Sequence, residues 1–234
     1  NPAGKPGLAA FMLDMLDEGT TTRSSLEFAE QLKQAGVQLG DAPRRDYSGM
    51  VLTSARGTIA RAFDLLADAV LNPAFDQKEV DRVRTIRVGQ LVQMKEDPST
   101  VSDIVALMAL NGNNNPYGYV QLGTEASLKA LTVQDLKDFW QAQVRPGNAA
   151  MVVSGDLTKE DLQSLLEKSF GKWSAAPTTP ISITEAPVSR RVVLVDAPGA
   201  PQTQVRVMIP GPERSTPGFE PLLVMDQILG GVFS

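Results

Sequence analysis

The sequence predicts an α+β protein, with a mostly antiparallel sheet and helices packed on one face. Three observations carry this. Segments with helical spacing outnumber those with strand character. The strand segments do not alternate regularly with the helical ones, which argues against βαβ units. A Pro-, Ser- and Thr-rich stretch at 174–187 separates a long first part from a shorter second part. The 234 residues, 42% hydrophobic and 21% charged, suffice to bury a sizeable core.

In chain order, Leu8, Phe11, Met12, Met15 and Leu16 follow i, i+3, i+4, i+7, i+8 spacing and predict a helix over 7–18, with Gly19 just past its end. Ser24 with Glu27 forms a capping box for a second helix that ends at Gly36. Residues 47–54 read as a strand. Ile59, Phe63, Leu66 and Val70 share one face of a third helix, stopped by Asn72-Pro73. Asp76 and Glu79 open a long helix through Val80, Val83, Arg87, Leu91 and Met94. Asp97-Pro98 breaks it and starts another, which runs to about Leu110. Residues 111–119 form a loop rich in turn formers. Thr132 with Asp135 starts a helix carrying Leu136, Phe139 and Trp140, and 149–154 reads as a buried strand. Thr158 with Asp161 opens a helix ending at Phe170-Gly171. Beyond the Pro-rich stretch come strand patterns at 190–196 and 202–209, then a helix near Pro217. The expected division is a first lobe at 1–175, a linker at 176–189 and the beginning of a second lobe at 190–234. The chain opens on Asn1-Pro2-Ala3-Gly4, without an initiator Met or signal sequence, and stops directly after a helical pattern, so both ends read as cut.

Composition narrows the chemistry. The chain has no His and no Cys, which excludes a Ser-His-Asp or Cys-His centre, imidazole-bound zinc and disulfides within it. A net charge of −5 with mixed signs does not describe a nucleic-acid surface. No apolar run reaches the length of a membrane span. Gly4-Lys5-Pro6-Gly7 lacks the spacing of a phosphate loop, and there is no G-x-S-x-G elbow. Arg84 and Arg87, i, i+3 on one helix, read as a solvated helix face. Asp14, Asp17 and Glu18 read as the acidic end of a surface helix rather than a site for a hard cation. Trp140 and Trp173 read as packing residues.

The segment from Gly7 to Thr20, G-L-A-A-F-M-L-D-M-L-D-E-G-T, resembles the signature helix of the pitrilysin/insulinase family of zinc peptidases. The family pattern there is G-L-A-H-F-L-E-H-M-L-x-x-G-T. Its H-x-x-E-H is the inverted zinc motif: two His at i and i+4 grip the metal and the Glu activates the bound water. Phe75 to Pro98 resembles the family's third-ligand helix. Asn115-Pro-Tyr-Gly-Tyr with Leu122-Gly123-Thr124 resembles its H-P-Y-G…G-T segment. Leu131-Thr132 with Asp135-Leu136, Arg145-Pro146-Gly147-Asn148 and Val152 to Leu157 resemble the unit that follows. Leu229-Gly230-Gly231, ending in Phe233-Ser234, resembles the start of the second-lobe motif.

The departures fall on the chemistry. Ala10 stands at the first His, Leu13 at the Glu and Asp14 at the second His. Val83 and Gln90 stand where the third-ligand helix has its two Glu. The resemblance therefore implies the fold and denies catalysis. The degenerate positions Ala10, Leu13, Asp14 and Gln90 supply no catalytic set, no cofactor site and no metal site.

By resemblance, family members close two similar halves around an unfolded peptide. The implied role is the non-catalytic half of such a peptidase, completing the chamber and holding peptide. Zinc is expected only in an active half, carried in the same polypeptide or by a partner subunit. Peptide would add as a strand to a sheet edge. An Arg and a Tyr that contact substrate in relatives would lie beyond Ser234. Tyr117 and Tyr119 sit in a loop that lies near the active cleft of active relatives. The alternative is a structural subunit of core-protein type, without a role in proteolysis. A metallopeptidase improvised from Asp14 and neighbouring carboxylates is the least supported reading. Family habit places the protein in the bacterial envelope or periplasm.

Overall fold

The computed structural model of the chain describes residues 4–112, 115–174 and 190–230. Helices dominate, and the described strands form one two-stranded antiparallel sheet, so the protein is α+β. The expected linker at 176–189 and the closing Phe233-Ser234 lie outside the described residues.

Helix α1, Leu8–Asp14, buries Leu8, Phe11, Met12 and Leu13. It is shorter than the periodicity predicts. Met15 and Leu16 bond back to Met12 and Leu13, so the chain tightens out of the helix while these two side chains stay in the core. Helix α2, Ser25–Ala35, starts at the predicted Ser24/Glu27 box and ends at left-handed Gly36. The sheet pairs β1, Gln38–Pro43, with β2, Ser48–Thr53, in register from Gln38 opposite Thr53 to Pro43 opposite Ser48.

Helix α3, Ile59–Leu71, is followed by α4, Gln77–Glu96, and α5, Pro98–Asn111. Asp76 caps α4 through the Lys78 amide, and Asp97 caps α5 through the amides of Ser99 and Thr100. Short α6, Glu125–Ala130, and α7, Val133–Gln143, begin with capping boxes at Thr124 and Thr132. Helix α8 spans Lys159–Phe170 and α9 spans Phe219–Gly230.

The main core joins α1 to Phe75, to Val80, Val83 and Leu91 of α4, and to Leu128, Leu131 and Leu136. A smaller cluster packs Phe28 of α2 on Leu65 and Ala69 of α3, beneath Leu39 and Met50 of the sheet. Trp140 packs edge-on to Phe75 and donates its indole N–H to the Val70 carbonyl at 2.9 Å.

Three predicted strands are corrected. Residues 149–154, 190–196 and 202–209 keep their apolar pattern but join no ladder among the described residues. Val152, Val192, Leu194 and Val207 stand exposed. The pattern records side-chain alternation, whereas a strand needs a neighbour for its backbone groups. None of the described helices is long and apolar enough to cross a membrane.

Candidate functional site

On α1, Ala10 and Asp14 are i, i+4 and therefore share a face. On α4, Arg87 and Gln90 are i, i+3 and also share one. These four residues line one open cleft of about 530 Å³. The β1–β2 hairpin contributes Asp41 and Arg45, α5 contributes Ile104 and Leu107, and residues 118–122 close another side. The structure thus brings together Ala10, Asp14 and Gln90. It does not bring Leu13 to them. Leu13 projects about 100° away from Asp14 around the helix, and it is buried in the main core with Val83.

Arg87 organises the cleft floor. Its Nη1 donates to the Asp14 carboxylate and its Nη2 to the Leu122 carbonyl at 3.3 Å. The guanidinium lies 5.4 Å from the centre of the Phe11 ring, and that of Arg84 lies 5.5 Å from the same ring. Arg84 donates to the carbonyls of Leu128 and Leu131. The expectation of a solvated basic face is therefore corrected: Arg87 is 3% exposed. Its place gives the reason, since it falls four residues from both Val83 and Leu91 on the stripe that α4 turns inward. Sequence reasoning missed Arg87 as a site residue, although that register carried the signal.

The acidic residues at and just past the end of α1 are electrostatically loaded. Burial raises the Asp14 carboxyl above the usual carboxylate range, the charge and hydrogen bond of Arg87 oppose this, and the charges of Asp41 and Glu18 add to it. Burial, then the charge of Glu18, pushes Asp17 up to about 6. Arg82 bridges Glu18 and Glu79.

The hairpin turn is fastened over the same region. Arg45 donates to the Tyr117 carbonyl at 2.6 Å, and the Tyr117 hydroxyl donates to Asp46. Arg45 and Tyr119 line the cleft.

A zinc centre does not fit this donor set. Ala10 offers no ligand atom, Leu13 faces the core, Gln90 offers a neutral amide, and Asp14 is engaged by a cation. Among the described residues no group of three or more His, Cys, Asp or Glu is placed to hold a metal ion.

The family model described as "Insulinase (Peptidase family M16)" matches residues 1–119, and that described as "Peptidase M16 inactive domain" matches residues 130–234. The chain is 26% identical over 234 residues to the probable mitochondrial-processing peptidase subunit beta of Arabidopsis thaliana, covering 96% of this chain and 43% of that protein. It is 24% identical over 169 residues to the cytochrome b-c1 complex subunit 1 of Caenorhabditis elegans, covering 72% of this chain and 35% of that one. The crystal structure of a peptidase M16 inactive domain from Pseudomonas fluorescens shares the fold, with a TM-score of 0.71 at 22% identity, over 78% of this chain and 45% of that one. The chain spans about half the length of the curated relatives it matches. With the G-L-A helix, the degenerate ligand positions facing one cleft, and a family match from Asn1 to Tyr119, the chain belongs to the insulinase family of peptidases, M16.

Proposed function

We propose that this chain is the non-catalytic half of an M16 peptidase, completing a clamshell chamber and holding unfolded peptide for an active half. One observation carries the reading. The positions that would grip and use a metal hold Ala10, Leu13, Asp14 and Gln90, and the one carboxylate among them is neutralised by Arg87. In this reading residues 1–175 form one lobe and 190–234 open a second. Zinc belongs to the active half, in the same polypeptide or in a partner subunit with an intact H-x-x-E-H. The open cleft beside the hairpin edge suits an extended peptide. Location in the bacterial envelope is part of the same proposal.

The test is the native polypeptide. An immunoblot against this chain gives its mass, and affinity purification from the source cells gives its partner. A four-lobe mass, or co-purification of a two-lobe protein carrying H-x-x-E-H, is the expected result. Chelator-sensitive peptidase activity of this chain alone, lost in Asp14→Ala, would overturn it.

A second reading is an assembly subunit of core-protein type. The likeness to the cytochrome b-c1 complex subunit 1 favours it. Co-purification with a membrane-bound respiratory assembly and no peptidase would select this reading.

A further inference from the structure

The cleft floor already holds a cation. Arg87 is 3% exposed, deep enough that an isolated charge would be costly to bury, so its partners define what the site is. Those partners come from separate segments: Asp14 at the end of α1, the Leu122 carbonyl in the loop before α6, and the face of Phe11 beneath the guanidinium. The Arg87 Nε finds no acceptor, so the group is held by its tip and by the ring. The side chains at the former ligand positions surround this assembly, with Ala10 and Gln90 lining the same cleft.

We infer that Arg87 is the resident cation of this site: it ties α1 to α4 and to the 118–122 loop, and it closes the site to divalent metal ions. The tie is mechanical as well as electrostatic. A metal ion joins helices by drawing one ligand from each, and here one guanidinium joins them by donating to a carboxylate on α1 while its own backbone belongs to α4. The exclusion follows from charge. A divalent ion would have to sit beside a buried guanidinium while competing with it for Asp14. A Glu at position 90 would stand i, i+3 from Arg87 and would pair with it rather than turn to a metal.

The inference rests on reading positions 10, 14 and 90 as former ligand positions, and it makes no use of the partner assignment. The test restores ligands in the full-length polypeptide with and without the arginine. One variant carries Ala10→His, Asp14→His and Gln90→Glu. The other adds Arg87→Leu. Leu13 is left alone because it packs in the core. Both are dialysed against zinc, and bound zinc is measured by elemental analysis with a zinc-dependent thermal shift as a second readout. The variant that keeps Arg87 is expected to hold under about a tenth of an equivalent, and the one without it about one equivalent. One equivalent bound in the presence of Arg87 would overturn the inference. A folded Arg87→Leu variant that takes no zinc would overturn the reading of the ligand positions on which it rests.

If the multiple variants do not fold, the natural pair decides. Asp14→Leu, Arg87→Leu and the double variant form a thermal cycle. The double variant is expected to melt above Asp14→Leu alone, because it no longer strands the buried Arg87 guanidinium. Strictly additive losses would show that Arg87 does not tie α1 through Asp14, and would overturn the inference.

Discussion

A methyl group on Gly7 would stand 2.8 Å from the Cα of Gly123 and 2.7 Å from the Leu122 carbonyl. The relation is mutual: a methyl on Gly123 would meet the Pro6 carbonyl at 2.8 Å. Gly7 is at φ +89° and Gly123 at φ +94°. Two glycines from distant segments thus cross backbone to backbone, and the crossing sets where α1 begins against the loop that supplies Leu122 to Arg87.

Substitution at this crossing is expected to cost more than conformational strain alone. Gly7→Ala and Gly123→Ala are each expected to lower stability by about 2 kcal/mol or more, combining a left-handed backbone with a clash against main chain. Denaturant unfolding measures it. A loss confined to a few tenths would show that the segments separate freely.

Half-buried Asp17, three residues past the end of α1, predicts a pH dependence. Asp17 is raised to about 6, so between its ordinary value and about 6 the folded chain binds more protons than the unfolded chain. Stability contributed by the protonated form is therefore present at low pH and is lost as pH rises through that window. Asp17→Asn removes this slope. The melting-temperature difference between Asp17→Asn and the parent is expected to grow from pH 4 to about 6 and then level off, in favour of the variant. A difference that stays constant with pH would refute the assignment.

Asp68 anchors the loop after α1. It is buried and accepts hydrogen bonds from Thr22 at 3.0 Å, from Asn72 at 2.9 Å and from Arg23. Asp68→Ala removes the acceptor that Arg23, Thr22 and Asn72 share. A loss of about 2–4 kcal/mol is expected in chemical denaturation. Asp68→Asn retains part of the network and is expected to fall between the parent and Asp68→Ala.

Tyr117→Phe removes the bond to Asp46 while leaving the Arg45 bond to the Tyr117 carbonyl in place. The hydrogen bond to Asp46 also raises the Tyr117 hydroxyl above its ordinary range. Amide exchange is expected to accelerate at residues 44–47 with little change in global melting. Unchanged exchange there would show that Tyr117 does not fasten the hairpin.

Local chemistry made much of the fold legible. Ser24 with Glu27, Thr132 with Asp135 and Asp97-Pro98 each mark a helix start, and each acts there as a cap. What escaped depends on distant partners. Strand β1 contains Gly40, Asp41 and Pro43, and it is a strand because β2 pairs with it rather than by propensity. Helix α6 hides behind a capping box that uses Ser127 in place of an acid. At the site, the spacing of Ala10 and Asp14 predicts their shared face, and Gln90 joins them from α4. The burial of Arg87 depends on α1 and the Leu122 loop lying over α4, which no local window contains.

The Asp14–Arg87 contact also gives the site a direction in mutational time. Replacing Asp14 alone strands the buried Arg87 charge, and replacing Arg87 alone leaves the half-buried Asp14 without its cation, so the first step back toward a ligand carries a loss. A histidine restored at position 10 gains nothing while position 14 is occupied by the pair. The path to a donor set runs through several changes that help only together. Sequences descending from this one are therefore expected to drift at Gln90 and Ala10 while positions 14 and 87 change in concert, a ratchet held by one ion pair.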